Sequence, residues 1–154
     1  MYRPLRRKDR EIPAEVAAAL MSAAEYGVLA TVDVAGQPYA TPLSFVFDGA
    51  HIYFHCADEG HKLDNLRACS RVSFCVVGSV KTLPRHFATE YESAVAFGVA
   101  CEVSGEEKRA ALLKLLEKYS PGFLVQGKKY LDGHFAKTAV VRIDVEHLTG
   151  KARR

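Results

Sequence analysis

The sequence predicts a mainly β domain, a small closed or split barrel with helices at its ends. Three observations lead there. Apolar residues recur at strand spacing in six short segments. Long crossovers, not a regular strand–helix alternation, connect them, which argues against a doubly wound parallel sheet. The chain of 154 residues, 49% hydrophobic and 25% charged, also has the composition of an ordinary soluble protein. A chain this long buries roughly 70% of its unfolded surface, so residues 1–154 are expected to form a single domain without staples.

Residues 13–25 read as the first helix. Pro13 suits the first helical position, Val16, Leu20 and Ala24 repeat at helical spacing, and Gly27 can close the element. The period then changes to two. Residues 28–32 form a strand, Asp33-Val34-Ala35-Gly36 supplies turn chemistry, and residues 39–47 form a second strand. Asp48-Gly49 is a hairpin signal before a third strand at 51–56, which completes an expected antiparallel meander. Asp58 is a candidate cap for a short helix that places Leu63 and Leu66 on one face. Residues 71–77 read as a fourth strand, and 80–89, with Pro84, as a loop. Residues 91–103 give a fifth strand with a bulge at Gly98. Ser104-Gly105-Glu106-Glu107 spells a capping box ahead of Ala111, Leu112, Leu115 and Leu116, in a helix ending near Tyr119. A short helix at 123–133 and a last strand at 138–147 complete the series.

Charge is concentrated at the ends. The net charge is +3, yet Arg3, Arg6, Arg7, Lys8, Arg10, Lys151, Arg153 and Arg154 hold eight of the 21 basic residues. The remaining 13 face 17 acidic residues, so the body between is acidic. A nucleic-acid-binding protein usually spreads cations over a folded face, so nucleic acid is disfavoured as a partner. The basic arm (1–11) and tail (149–154) read as solvated segments, or as pins for a dimer or a bound anion. No apolar run approaches the roughly 20 residues of a membrane span. The basic N-terminus leads into no apolar stretch or cleavage site, so a cytoplasmic protein is expected. Cys56, Cys69, Cys75 and Cys101 form no Cys-x-x-Cys pair, and three lie in apolar runs. Buried free thiols are expected.

The sequence lacks a Gly-x-Gly-x-x-Gly turn, a Walker loop, Gly-x-Ser-x-Gly and His-Glu-x-x-His. Tyr39, Phe45, Phe47, Tyr53 and Phe54 are barrel-strand aromatics, more often core than a stacking platform. His51 and His55 share a strand face but stand about 13 Å apart at roughly 3.3 Å per residue, too far for one metal ion. No metal site is assigned. Gly60-His61-Lys62 is more promising, because a helix start with free N–H groups and a lysine suits an anion such as phosphate. Taken alone, such a lysine is more commonly an exposed helix residue.

From 6–12 to 149–154, the chain resembles the nitroimidazole-resistance (Nim-like) branch of the pyridoxamine 5′-phosphate oxidase-related flavoproteins. The pieces that carry the resemblance are YGVLATVD (26–33), QPYATPLSFVFDG (37–49), IYFHCA (52–57), GHKLDNLR (60–67), RVSFCVVG (71–78) and YESAVAFG (91–98). The resemblance implies a six-stranded split β-barrel of the FMN-binding type with flanking helices, a homodimer, and FMN at the subunit interface. It implies that Thr41, Pro42, Leu43 and Ser44 line the flavin ring edge. His55, His61 and Lys62 would surround the ribityl phosphate and the reacting face, with Arg67 as a second cation. Tyr91, Glu92 and Ser93 of the opposite subunit would close the pocket. The blander reading of Thr41, Ser44 and Ser93 is polar strand residues facing solvent. The stretch ATPLSFVFD carries no cation, unlike the oxidase branch proper, so vitamin B6 oxidation is disfavoured.

Three functions compete. The first is an FMN-dependent oxidoreductase that takes electrons from an external donor such as NAD(P)H. It would reduce a small electron-poor substrate such as a 5-nitroimidazole, with His61 as proton donor. A histidine suits that task because imidazole switches protonation near neutral pH. The second is a haem-binding split barrel with His55 or His61 on the iron. The third is a non-catalytic flavin-binding or sensing module.

Overall fold

The structure is a computed structural model and describes residues 2–154. Eight strands form one antiparallel sheet with the order β3-β2-β6-β7-β8-β5-β4, and β1 pairs with β8. The strands are β1 (Glu11–Ile12), β2 (Gly27–Val32), β3 (Pro38–Leu43), β4 (Val46–Phe47), β5 (His51–Ala57), β6 (Arg71–Leu83), β7 (Ala88–Val103) and β8 (Thr138–Arg153). The helices are α1 (Ala14–Ala23), α2 (His61–Ala68), α3 (Gly105–Tyr119) and α4 (Leu124–His134). The six long strands are those expected; β1 is a two-residue addition, and β4 is the end of the expected 39–47 strand, set apart from β3.

Covalent connectivity curls the sheet. β3 and β4 lie at opposite ends of the hydrogen-bonded path, yet only Ser44 and Phe45 separate them in sequence. Two residues cannot hold those edges more than about 11 Å apart. The sheet therefore wraps into a barrel with an unpaired seam, a split β-barrel. This corrects the expected meander. Residues 39–47 are not one strand: β3 pairs with β2, and after the break at Ser44-Phe45, β4 pairs with β5.

The barrel interior follows from alternation. Leu29, Phe54, Phe74, Val76, Ala96, Val141 and Ile143 point inward and are buried. Phe45, from the seam, meets Phe74 edge-on with ring centroids 4.7 Å apart. α1 adds Ala17 and Met21 to this core, whereas Val16, expected on its buried face, is exposed. Ala111 and Leu115 of α3 cover a second apolar cluster with Val46, Tyr53 and Val140.

Three further expectations are revised. Residues 80–83 and 88–90 extend the β6–β7 hairpin rather than forming a loop, with a register shift between Val77 and Val80. The irregularity at Gly98 is present, but Phe97 pairs with His147 and Gly98 with Val145, so the extra residue is Glu146 on β8. Gly98 is required there because a Cβ would lie 2.1 Å from the Asp144 carbonyl oxygen. Asp58 does not cap α2, which Gly60 precedes; Ser104 stands at the N-cap of α3 as expected, but its side chain makes no capping bond.

The ends of the chain are engaged by the sheet. Lys151 pairs with Ser93 and Arg153 with Tyr91 inside the β7–β8 ladder. Tyr2 stacks on His147 with centroids 4.9 Å apart, and its hydroxyl donates to Glu146, which also holds Arg71. All four cysteines are free and half-buried rather than fully buried. Among the described residues, no helix is long and apolar enough to cross a membrane.

Candidate functional site: an anion cradle between β3 and α2

On β3, Tyr39, Thr41 and Leu43 face inward and are half-buried, while Pro38, Ala40 and Pro42 face solvent. Tyr39 and Thr41 thereby meet the start of α2 across a small pocket of about 110 Å³, lined also by Cys56, Glu59, Gly60, His61, Lys62 and Leu63. Gly60 has φ 131°, a conformation that an L side chain rarely adopts, and it turns the chain abruptly into α2. No side chain caps this helix. The amides of its first turn are left for a ligand, with the positive end of the helix dipole behind them.

Two side chains point to the ligand's charge. Lys62 is half-buried rather than exposed as its sequence context suggested, and it forms no ion pair among the described residues. The Thr41 hydroxyl oxygen is buried and has no hydrogen-bond partner. Such an orphan costs about 1–3 kcal/mol of desolvation unless something binds it. Thr41→Val is therefore expected to raise the stability of the ligand-free protein by about 1 kcal/mol in urea denaturation. A loss of stability would show that the hydroxyl has a protein partner after all.

The walls are tied together. Asn65, buried in α2, donates from Nδ2 to Thr31 Oγ1 at 2.9 Å, and the Thr31 hydroxyl donates to the Tyr39 carbonyl. Leu63 and Leu66 anchor the same helix in the core. His61 is exposed, with its ring 4.2 Å from that of Tyr39. Crowding by surrounding protein and the Lys62 ammonium both push the His55 pKa down, favouring the neutral imidazole. Burial pushes the Cys56 thiol up, which disfavours the thiolate.

Of the residues implied by resemblance, Thr41, His61 and Lys62 converge on this pocket. Ser44 and His55 line a neighbouring cavity, Pro42 faces solvent, and Leu43 packs against the core. Arg67 is not a free cation, because its guanidinium forks onto Glu102 at 2.7 and 3.2 Å. Tyr91, Glu92 and Ser93 lie near the start of β7, where Tyr91 and Glu92 share a groove with Arg153 and Arg154. Tyr39, Thr31 and Asn65 were missed. Only Tyr39 had a usable signal, standing two residues before Thr41 on the same strand face.

A split barrel with a cationic cradle at the start of its second helix is the class that fold and site define. The chain belongs to the pyridoxamine 5′-phosphate oxidase family, which matches residues 13–152. No curated protein matches the sequence significantly. An FAD-binding protein from Mesorhizobium loti superposes with a TM-score of 0.68 at 25% identity, over 94% of this chain and 98% of that one. A candidate 5-nitroimidazole antibiotic resistance protein from Bacteroides thetaiotaomicron gives 0.74 at 22%, over 92% and 86%. An FAD and haem binding protein from Mycobacterium smegmatis gives 0.76 at 19%, over 94% and 74%. The last two, at those identities, speak to the fold.

Proposed function

We propose that this chain is an FMN-binding oxidoreductase acting on small electron-poor compounds. The observation that carries the reading is the buried, unpartnered Thr41 hydroxyl beside the uncapped start of α2 and the unpaired Lys62. These donors fit a phosphate. Family membership and the flavin-binding relatives make the ribityl phosphate of FMN the natural occupant.

When bound, the flavin supplies two-electron transfer between an external donor such as NAD(P)H and an acceptor. The chain's own residues bind and orient. Lys62 and the amides of α2 would hold the phosphate, Thr41 would donate its hydroxyl to it, and the β3 backbone toward Ser44 would run along the ring edge. His61, at the mouth of the cradle, would deliver a proton to the acceptor as electrons arrive. A nitroheterocycle such as a 5-nitroimidazole is the acceptor that the resemblance carried by 26–33, 37–49 and 60–67 implies. β3 carries no cation for a substrate phosphate, which disfavours vitamin B6 oxidation. Tyr91, Glu92 and Ser93 of a second copy would complete the site in a homodimer. Sedimentation should then give twice the chain mass; a monomer that retains flavin would remove them from the site.

An absorbance spectrum of the purified protein tests the cofactor directly: flavin bands support the reading, and a Soret band would replace it with haem. Lys62→Ala is expected to weaken FMN binding by about 1.5–3 kcal/mol, the range for a hydrogen bond to a charged group. Unchanged affinity in a fluorescence titration would remove Lys62 from the cradle.

A further inference from the structure

A second cavity, of about 310 Å³, lies between β5, α3 and α4. Leu112, Leu115, Leu116 and Leu131 form its apolar floor, and no Lys, Arg, Asp or Glu lines it. At its mouth Tyr130, 68% exposed, stacks on His134 with ring centroids 4.0 Å apart. Gly127 sets the width, because a Cβ there would fall 2.2 Å from Leu116 Cδ1; its absence lets α4 close onto α3.

The polar lining divides in two. The Thr138 hydroxyl donates to the His134 carbonyl, His134 Nδ1 meets the Tyr130 carbonyl oxygen at 2.9 Å, and the Tyr119 hydroxyl is bonded to backbone at Glu25 and Phe45. Ser44, His55 and Ser120 have no side-chain hydrogen bond among the described residues and remain free for a ligand. His55 also links this cavity to the cradle, since it is followed on β5 by Cys56, which lines the cradle.

We infer that this cavity binds the electron acceptor, an uncharged planar compound of one or two fused aromatic rings that presents a polar edge to Ser44 and His55. The ring's role as acceptor rests on the flavin reading; its binding does not. Three arguments fix the class. The volume lies at the small end of ligand pockets, about 300–1,000 Å³, which excludes larger molecules. Leucine walls with an exposed tyrosine at the mouth reward a flat aromatic face. The absence of any lysine, arginine, aspartate or glutamate from the lining makes a buried ionic ligand costly, in contrast with the cationic cradle next door.

The experiment measures binding of quinoline and of its anionic 2-carboxylate to the purified protein by calorimetry, beside an FMN titration. Quinoline should bind at least tenfold more tightly than the carboxylate. Ser120→Phe, which places a ring in the cavity, should weaken quinoline binding at least tenfold and leave FMN affinity unchanged. Should Ser120→Phe fail to fold, Tyr130→Ala at an exposed position carries the test, with an expected several-fold loss. Quinoline affinity unmoved by the variant tested, or tighter binding of the carboxylate, overturns the inference. Quinoline binding lost in the variants of a protein that takes no FMN would sink the flavin reading and leave the cavity as a ring-binding site. FMN binding without any quinoline binding would do the reverse.

Discussion

Phe74→Ala is expected to destabilise the protein by about 3–5 kcal/mol, the range for deleting a fully buried aromatic ring. Phe74 is 0% exposed and stands at the centre of the barrel. Its ring occupies the space above Gly27, where a Cβ would lie only 2.2 Å from Phe74 Cε1. It also braces Phe45, one of the two residues that bridge the barrel seam. Neighbours cannot easily collapse into the void. β2 and β7 are held on either side of β6 by hydrogen bonds, and Phe45 is held from outside: Lys118 Nζ donates to its carbonyl at 2.9 Å and to that of Ala24 at 2.7 Å. Urea denaturation of the variant checks the figure. A loss below about 1.5 kcal/mol would mean that the barrel closes over the cavity, contrary to this account of its rigidity.

The same seam shows what the sequence could reveal and what it could not. Alternation identified β2 because one face lies in the core, a local signal of period two. β5, buried on both faces at Ile52, Tyr53 and Phe54, was marked instead by the Asp48-Gly49 turn before it. The break at Ser44-Phe45 left no such trace. Residues 39–47 look like a continuous strand, and the exchange of partner from β2 to β5 is imposed by closure of the sheet. The ends of the β6–β7 hairpin were misread for a similar reason. Val80, Lys81 and Thr82 are exposed, so their ladder has no buried face to betray it. Lys151 and Arg153 looked like a solvated tail, but backbone pairing with Ser93 and Tyr91 is indifferent to their charge. At the site, Gly60-His61-Lys62 was legible as a helix start with an anion-binding character. The bond from Asn65 to Thr31 was not, since it joins residues 34 apart in sequence and neither carries a motif.

His61→Ala is expected to lower turnover about 10²-fold or more while leaving FMN bound, the signature of a lost proton donor. The geometry suits that role. His61 opens α2 directly after the Gly60 turn, lines the cradle, and is exposed at its mouth, where an acceptor can reach the ring. Tyr39, 4.2 Å away, restricts the imidazole from one side and so orients it. The competing role is that of a phosphate ligand, for which the same position at the helix start is equally apt. The two separate cleanly. Loss of a phosphate ligand releases FMN, and excess cofactor restores the rate; loss of a proton donor leaves the holoprotein slow at any FMN concentration. His61→Gln sharpens the contrast, because the amide can still donate a hydrogen bond to phosphate but cannot transfer a proton. It should keep FMN bound and turn over as slowly as His61→Ala, whereas for a phosphate ligand it would restore both. Full activity of both variants, without added FMN and with it, would exclude His61 from either role.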